Sequence, residues 1–354
     1  MPPDSPFGLS SPGHTAELAW RATFPLLGVP VEIRTNNARV YAAAKAAFDE
    51  WHKLPANLVR AQPPAKVDVV VHELEGAQPP GDARPFVYRS HGSRFLGSDG
   101  VNHLSAELDR GEAVAFITPA MVKRGAELRQ NVLHLLALLL VTQHDRVPLH
   151  AAAVVLDGHA FVLAGPSTAG KSTLCYACAR DGFQVLAEDA VYVAREPTLR
   201  LWGMPRQIHL LPDAVRFFPE LASVRPETQP TGKFKMTIET ARFGHERPIL
   251  HAERATVCVV GRHDGPQTLI EPLAAGEAVR VLSADREPGF DLYDGAPEVA
   301  ERLTASGAFR LIVGSDPCAA PQALRSFAAR ELSAQSGRAF APAAPCRNGL
   351  GAPA

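Results

Sequence analysis

The sequence predicts an α/β fold organised in two parts, and three observations carry that expectation. At 354 residues the chain is long enough to bury two cores rather than one. Apolar runs of strand length alternate with stretches of helical length along most of it. Near the middle, an apolar run passes straight into a glycine-containing loop and then into a helical segment.

Residues 1–14 are rich in Pro, Ser and Gly and read as disordered. Residues 15–145 form a smaller α/β region. It has strands at 31–34 and 67–71 (with Asp68 inside the second), a helix at 38–54, a loop at 79–84, and short strands at 86–88 and 113–117. This region ends in a long helix over 120–144, whose second half is apolar nearly all round and therefore sandwiched within the fold. No catalytic constellation stands out here, so recognition or scaffolding is its expected role. A second domain spans 146–333. Runs at 152–156 and 160–164 are separated by Asp157-Gly158-His159, a hairpin signal. A helix follows at 171–180, stopped by Gly182, and then a strand at 184–187. Further strands are expected at 198–202, 208–210, 235–238, 256–260 and 309–313, and helices at 213–221, 297–305 and 321–332. Residues 334–354 are an Ala/Pro/Gly-rich tail expected to be disordered.

Composition narrows the function classes. With 46% hydrophobic and 21% charged residues and a formal net charge of −1, nothing draws the chain to nucleic acid or an anionic membrane. Five cysteines make no disulfide framework in a chain this long and fit a reducing, cytoplasmic setting. The first residues, MPPDSPFGLSSPG, carry neither the basic nor the apolar region of a secretory signal. The most apolar stretch, 132–141, is about half of a membrane span and is interrupted by His134.

The chemistry centres on Gly165-Pro166-Ser167-Thr168-Ala169-Gly170-Lys171-Ser172-Thr173, which fits G-x-x-x-x-G-K-[ST] without a gap. The glycines let the backbone turn tightly enough for successive amide N–H groups to face phosphate oxygens. The helix that begins near Lys171 adds its unpaired N–H groups and positive dipole end. Lys171 brings a charge toward the β and γ phosphates, and the Ser172 hydroxyl can ligate Mg²⁺. ATP and Mg²⁺ are the expected ligands. Glu188-Asp189 closes the next strand and would bring two carboxylates to the same place. One could hold Mg²⁺, with Asp189 expected to share it with Ser172, and the other could take a hydroxyl proton. Adjacent strand residues face opposite ways, so both can act only if the strand ends or bulges there. His150 opens the hairpin and is a further candidate. Lys233 and Lys235 read as a solvated face, and Cys175 and Cys178 as small core residues rather than metal ligands.

These elements resemble the catalytic domain of the HPr kinase/phosphorylase family. The similarity rests on Leu149-His150 opening the hairpin, on GPSTAGKST, and on Gly182-Phe183-Gln184-Val185-Leu186-Ala187 leading to the acidic pair. Its specific part covers residues 149–193. The resemblance implies a P-loop kinase domain of the HPr kinase/phosphoenolpyruvate carboxykinase-like type, preceded by the smaller α/β domain, and serine phosphorylation by Mg-ATP. It also implies that His150, Glu188 and Asp189 are catalytic residues. The chain carries Glu188 where the family usually has an aspartate. In place of the glycine-rich acidic segment of bifunctional members it reads LWGMPRQIHLLPD (201–213), so phosphorylase activity is not expected. Related kinase-like proteins occur in peptide-modification systems, which keeps a peptide serine open as acceptor beside a small protein. An ATP-dependent switch without acceptor, a small-molecule kinase and a homo-oligomer also stay open.

Overall fold

The structure, a computed structural model, describes residues 17–72, 85–229, 232–245, 247–284 and 295–332. The expectations for 1–14, 79–84 and 334–354 lie outside these residues. The chain divides into two units, 1–140 and 141–354.

In the first unit, β1 (Trp20–Leu26) and β2 (Val29–Thr35) form an antiparallel hairpin. Asn37 then caps α1 (Ala38–Phe48), its side chain accepting from the N–H groups of Arg39 and Val40. β3 (Ala65–Val71), β4 (Val87–His91), β5 (Arg94–Ser98), β6 (His103–Glu107) and β7 (Glu112–Ile117) follow. Among the described residues they make a seven-stranded mixed sheet in the order β1-β2-β3-β7-β6-β5-β4. Alternate residues Val29, Val31 and Ile33 on β2 and Ala65, Val67 and Val69 on β3 are buried on one face. β1, β5 and β6 are not evident from the sequence, because Pro25, Gly97, Ser98 and Ser105 dilute their apolar alternation.

The helix expected over 120–144 is broken. Thr118 caps α2 (Pro119–Lys123), and Arg124 leaves helical space at ψ 68°. The chain resumes as α3 (Gly125–Glu127), a wide turn over Leu128–His134, and α4 (Leu135–Val141). Among the described residues no helix is long and apolar enough to cross a membrane.

The second unit is built on β8 (Val147–Leu156) and β9 (His159–Ala164), paired antiparallel with every residue buried. Asp157 and Gly158 turn between them at φ 50° and 77°, the left-handed pair that a two-residue hairpin needs. α5 (Lys171–Arg180) follows, then β10 (Gln184–Ala187), β11 (Ala190–Ala194), β12 (Arg200–Trp202), β13 (Gln207–Leu210), β14 (Glu227–Thr228), β15 (Phe234–Glu239) and β16 (His251–Ala252). After these come β17 (Ala255–Arg262), β18 (Leu269–Leu273), α6 (Ala275–Ala284), α7 (Ala296–Thr304), β19 (Ala308–Val313) and α8 (Ala320–Phe327). Among the described residues the main sheet runs β16-β12-β11-β8-β9-β17-β19-β18, with β10 also on β8, and β13-β15-β14 forms a separate small sheet. β9, β17 and β19 are mutually parallel.

Both faces of the main sheet are covered, which explains its near-continuous apolar strands. Leu174, Cys178, Leu324 and Phe327 from α5 and α8 share a buried cluster with Val154, Phe161 and Val260. Leu282, Val299 and Leu303 from α6 and α7 share another with Val155, Val162 and Val257. The helix expected at 213–221 is instead two tight turns, Pro212–Arg216 and Pro219–Ser223, because Pro219 cannot donate to an α-helical ladder and its ring crowds the preceding turn.

Candidate active site

The main sheet delivers a loop, two carboxylates and a histidine to one end of α5. Ala164 ends β9, and the 165–170 loop turns through positive φ at Gly165 (152°), Thr168 (78°) and Gly170 (99°) before α5 begins at Lys171. A Cβ at Gly170 would lie 2.4 Å from Nη2 of Arg262, a flexible side-chain end that can move, so it is the positive φ that calls for glycine there. The loop is braced by the Ala169 N–H donating to the Pro166 carbonyl (3.0 Å) and the Leu174 N–H to the Gly170 carbonyl (2.9 Å). Lys171 is buried, and its ammonium donates to the carbonyls of Gly165 (2.6 Å) and Pro166 (3.3 Å). A phosphate at the loop would therefore compete with these carbonyls for Lys171.

The two carboxylates owe their positions to a break in strand pairing. β10 pairs with residues 153–155 of β8, and β11 pairs with 147–150 of the same strand. Glu188 and Asp189 fill the bend between them, opposite 151–152, so the strand ends where the acids sit, which is the condition for both to act. Glu188 turns inward and is buried. Its carboxylate accepts from the Ser172 hydroxyl, and His209 Nδ1 lies 3.3 Å from its other oxygen. Asp189 turns outward, its side chain 57% exposed, with a carboxylate oxygen 3.6 Å from Nδ1 of the buried His150. That separation is an ion-pair distance rather than a hydrogen bond. His150 is held there because its backbone pairs with Ala190, next to Asp189.

The carboxylate on Ser172 is thus Glu188, not Asp189 as the sequence reading expected. The physical reason is the bend, which points the first acid toward α5 and the second toward solvent. Burial works to raise the pKa of Glu188. Hydrogen bonds from His209 and Ser172, with the charges of His209 and Lys235, outweigh burial and hold it below the usual carboxylate value.

His209 carries no signal in the sequence that marks it as a site residue, and Lys235, expected on a solvated face, lies close enough for its charge to act on Glu188. His209 lies on β13, in register with Thr237 of β15, and Lys235 is two residues along the same strand face. β13 reaches the site because the chain crosses close over β10 at Gly203, where a Cβ would stand 2.0 Å from the Leu186 carbonyl oxygen. Only glycine fits that crossing. Cys175 and Cys178 are buried in α5, and burial pushes both thiols up, which suppresses thiolate chemistry.

Ser172 and Glu188 bring a hydroxyl and a carboxylate together at a helix N-terminus, with His209 Nδ1 on the far carboxylate oxygen; among the described residues no group of three or more His, Cys, Asp or Glu is placed to hold a metal ion.

No family model matches the chain, and no curated protein does. Among solved structures, the Hpr(Ser) kinase/phosphatase from Coxiella burnetii aligns over 54% of this chain and 99% of its own, at 13% identity and a TM-score of 0.28. A likeness at that score only hints at the family and carries no argument.

Proposed function

We propose that the second unit is a P-loop kinase domain of the HPr-kinase-like type. It binds Mg-ATP at residues 165–173 and phosphorylates a serine hydroxyl on a small protein or peptide. The observation that carries this reading is the Ser172–Glu188 contact beside Lys171, at the start of the helix that follows the loop. Two neighbouring carboxylates in different surroundings, one buried and one open to solvent, support a division of labour between them.

Bound Mg-ATP supplies the transferable phosphoryl group. The loop amides and the N-terminal end of α5 hold phosphate oxygens. Lys171 exchanges its carbonyl partners for phosphate and neutralises charge there. Ser172 and Glu188 would hold the cation, while His209 steadies Glu188 from the far side. Asp189, exposed where an acceptor can approach, takes up the hydroxyl proton, and His150 orients its carboxylate.

The test is to incubate the protein with γ-labelled ATP and a host lysate, and then to identify the labelled species. The expected result is phosphoserine on a discrete acceptor, lost with Lys171→Ala. ATP hydrolysis at a rate indifferent to every lysate fraction would replace the kinase with an ATP-driven switch. Turnover of ATP by Lys171→Ala like that of the parent would remove the loop assignment itself.

A further inference from the structure

The seven-stranded sheet of the first unit ends on β4, and no described residue pairs with that outer edge. A bare strand edge is a template for another chain, and proteins ordinarily blunt such edges with proline, bulges or shortness. Elsewhere in this protein β1 holds Pro25, β18 holds Pro272, and β14 and β16 are two residues each. β4 has none of these devices: it pairs with β5 over five residues without a bulge, and all five are exposed. A two-residue turn, Gly92-Ser93, joins β4 to β5, so His91 and Arg94 beside it exchange hydrogen bonds. Counting back along the ladder, Arg89 and Val87 also bond to β5, while Tyr88 and Ser90 turn their N–H and C=O groups outward.

The side chains along this edge define the partner. On the open face of the sheet Arg89 stands beside Leu96 and makes no ion pair among the described residues. On the core face the Tyr88 ring lies over Gly97 and stacks on Phe86 and Phe95 at 5.8 and 5.5 Å, with Tyr88 still 43% exposed. Strand neighbours face opposite ways, so an added strand sets one residue against Arg89 and the next against Tyr88. A second copy of β4 fits poorly. Aligned over its full length it places Arg89 against Arg89, and its sequence VYRSH holds no carboxylate for any other register. We propose that β4 receives an extended peptide segment as a further strand of the sheet, with Asp or Glu set against Arg89 and an adjacent apolar residue set against Tyr88. Nothing in this depends on the nucleotide reading of 165–173.

The experiment selects a phage-displayed library of random decapeptides on the full chain and titrates the recovered peptides by fluorescence anisotropy. Parent, Ser90→Pro and Arg89→Glu are compared, each with its melting temperature and its mass by light scattering. Ser90→Pro removes one outward N–H and leaves every bond to β5, and edge strands tolerate proline. The parent should select peptides in which an acidic residue adjoins an apolar one. Ser90→Pro should weaken them by about tenfold or more at an unchanged melting temperature, the effect of losing a bond and leaving a peptide carbonyl unpaired. Arg89→Glu should reverse the charge preference and recover Lys or Arg in place of the acid, an arm that stands even where the proline variant fails to fold. Failure to select any peptide, equal binding of acidic peptides to folded Ser90→Pro, or a preference unchanged in Arg89→Glu would overturn the proposal. A parent that is dimeric and becomes monomeric in Ser90→Pro would overturn it too, assigning the edge to a second copy.

Discussion

Exchanging the charge of one acid at a time tests how the site divides its work, using Glu188→Gln and Asp189→Asn. Both changes keep shape and a hydrogen-bonding oxygen. Their cost depends on how well solvent screens the lost charge. The Glu188 side chain is 6% exposed and that of Asp189 57%. A unit charge pair about 4 Å apart is worth about 4 kcal/mol at an effective dielectric near 20, and about 1 kcal/mol in water. Removing the buried charge should therefore weaken cation-dependent binding by about 10³-fold, and removing the exposed one by about fivefold. The assay is the ratio of ATP affinity with Mg²⁺ to that with a chelator, by titration calorimetry. Glu188→Gln should collapse this ratio toward unity. Asp189→Asn should leave it nearly intact while lowering turnover with the true acceptor by about 10²–10⁴. A preserved ratio in Glu188→Gln, with a collapsed one in Asp189→Asn, would refute the assignment of the cation to the Ser172–Glu188 pair.

His150→Ala should lower turnover about 10–100-fold at unchanged Mg-ATP affinity, the effect of losing an orienting partner. A large fall in melting temperature with normal turnover per folded molecule would make His150 structural instead. Asp145 gives a pH prediction away from the site. It accepts from Arg195 Nε at 2.6 Å and from the N–H groups of Arg195 and Glu196 at 2.9 and 3.1 Å. Burial works to raise its pKa, but these bonds win and hold it below the usual carboxylate value. A depressed folded-state pKa stabilises the fold above the unfolded-state value, and that contribution is lost as pH falls through the folded one. Asp145→Asn, which tolerates the φ of 55° there, should lower Tm by about 2–6 °C at neutral pH. Thermal scans should also show a shallower acid limb below the usual carboxylate range; an unchanged limb would count against the Arg195 pairing.

Much of the second unit was legible in the sequence because its signals are local. The loop motif is contiguous, the run of its flanking strand over 160–164 is apolar, and Asp157-Gly158 announces the hairpin. The acids at 188–189 could be seen at the end of a strand, but which one turns inward could not, since the bend depends on β10 and β11 pairing in succession with β8. His209 was invisible as a site residue for a different reason. It comes from a separate small sheet, and no spacing from Ser172 or Glu188 marks it. Arg262, at the end of β17, is likewise brought to the loop only by the order of the parallel strands. In the first unit the pattern failed where Gly and Ser occupy strands and where Arg124 interrupts a helical run.

The pairing of β8 with two successive strands along one edge has a consequence for how this site can change over time. Hydrogen-bonded ladders on either side fix the length of the 188–189 segment, much as two fixed pins set the span of a link between them. Chemical identity inside the link can drift: aspartate for Glu188 would still leave an acid facing α5. Length cannot. Unless a bulge took it up, as one already does between Val185 and Ala187, a one-residue change in length would shift β11 by one position along β8 and turn Val191 and Val193, now buried, to the other face of the sheet. Libraries that vary this segment should therefore recover substitutions freely and length variants scarcely at all.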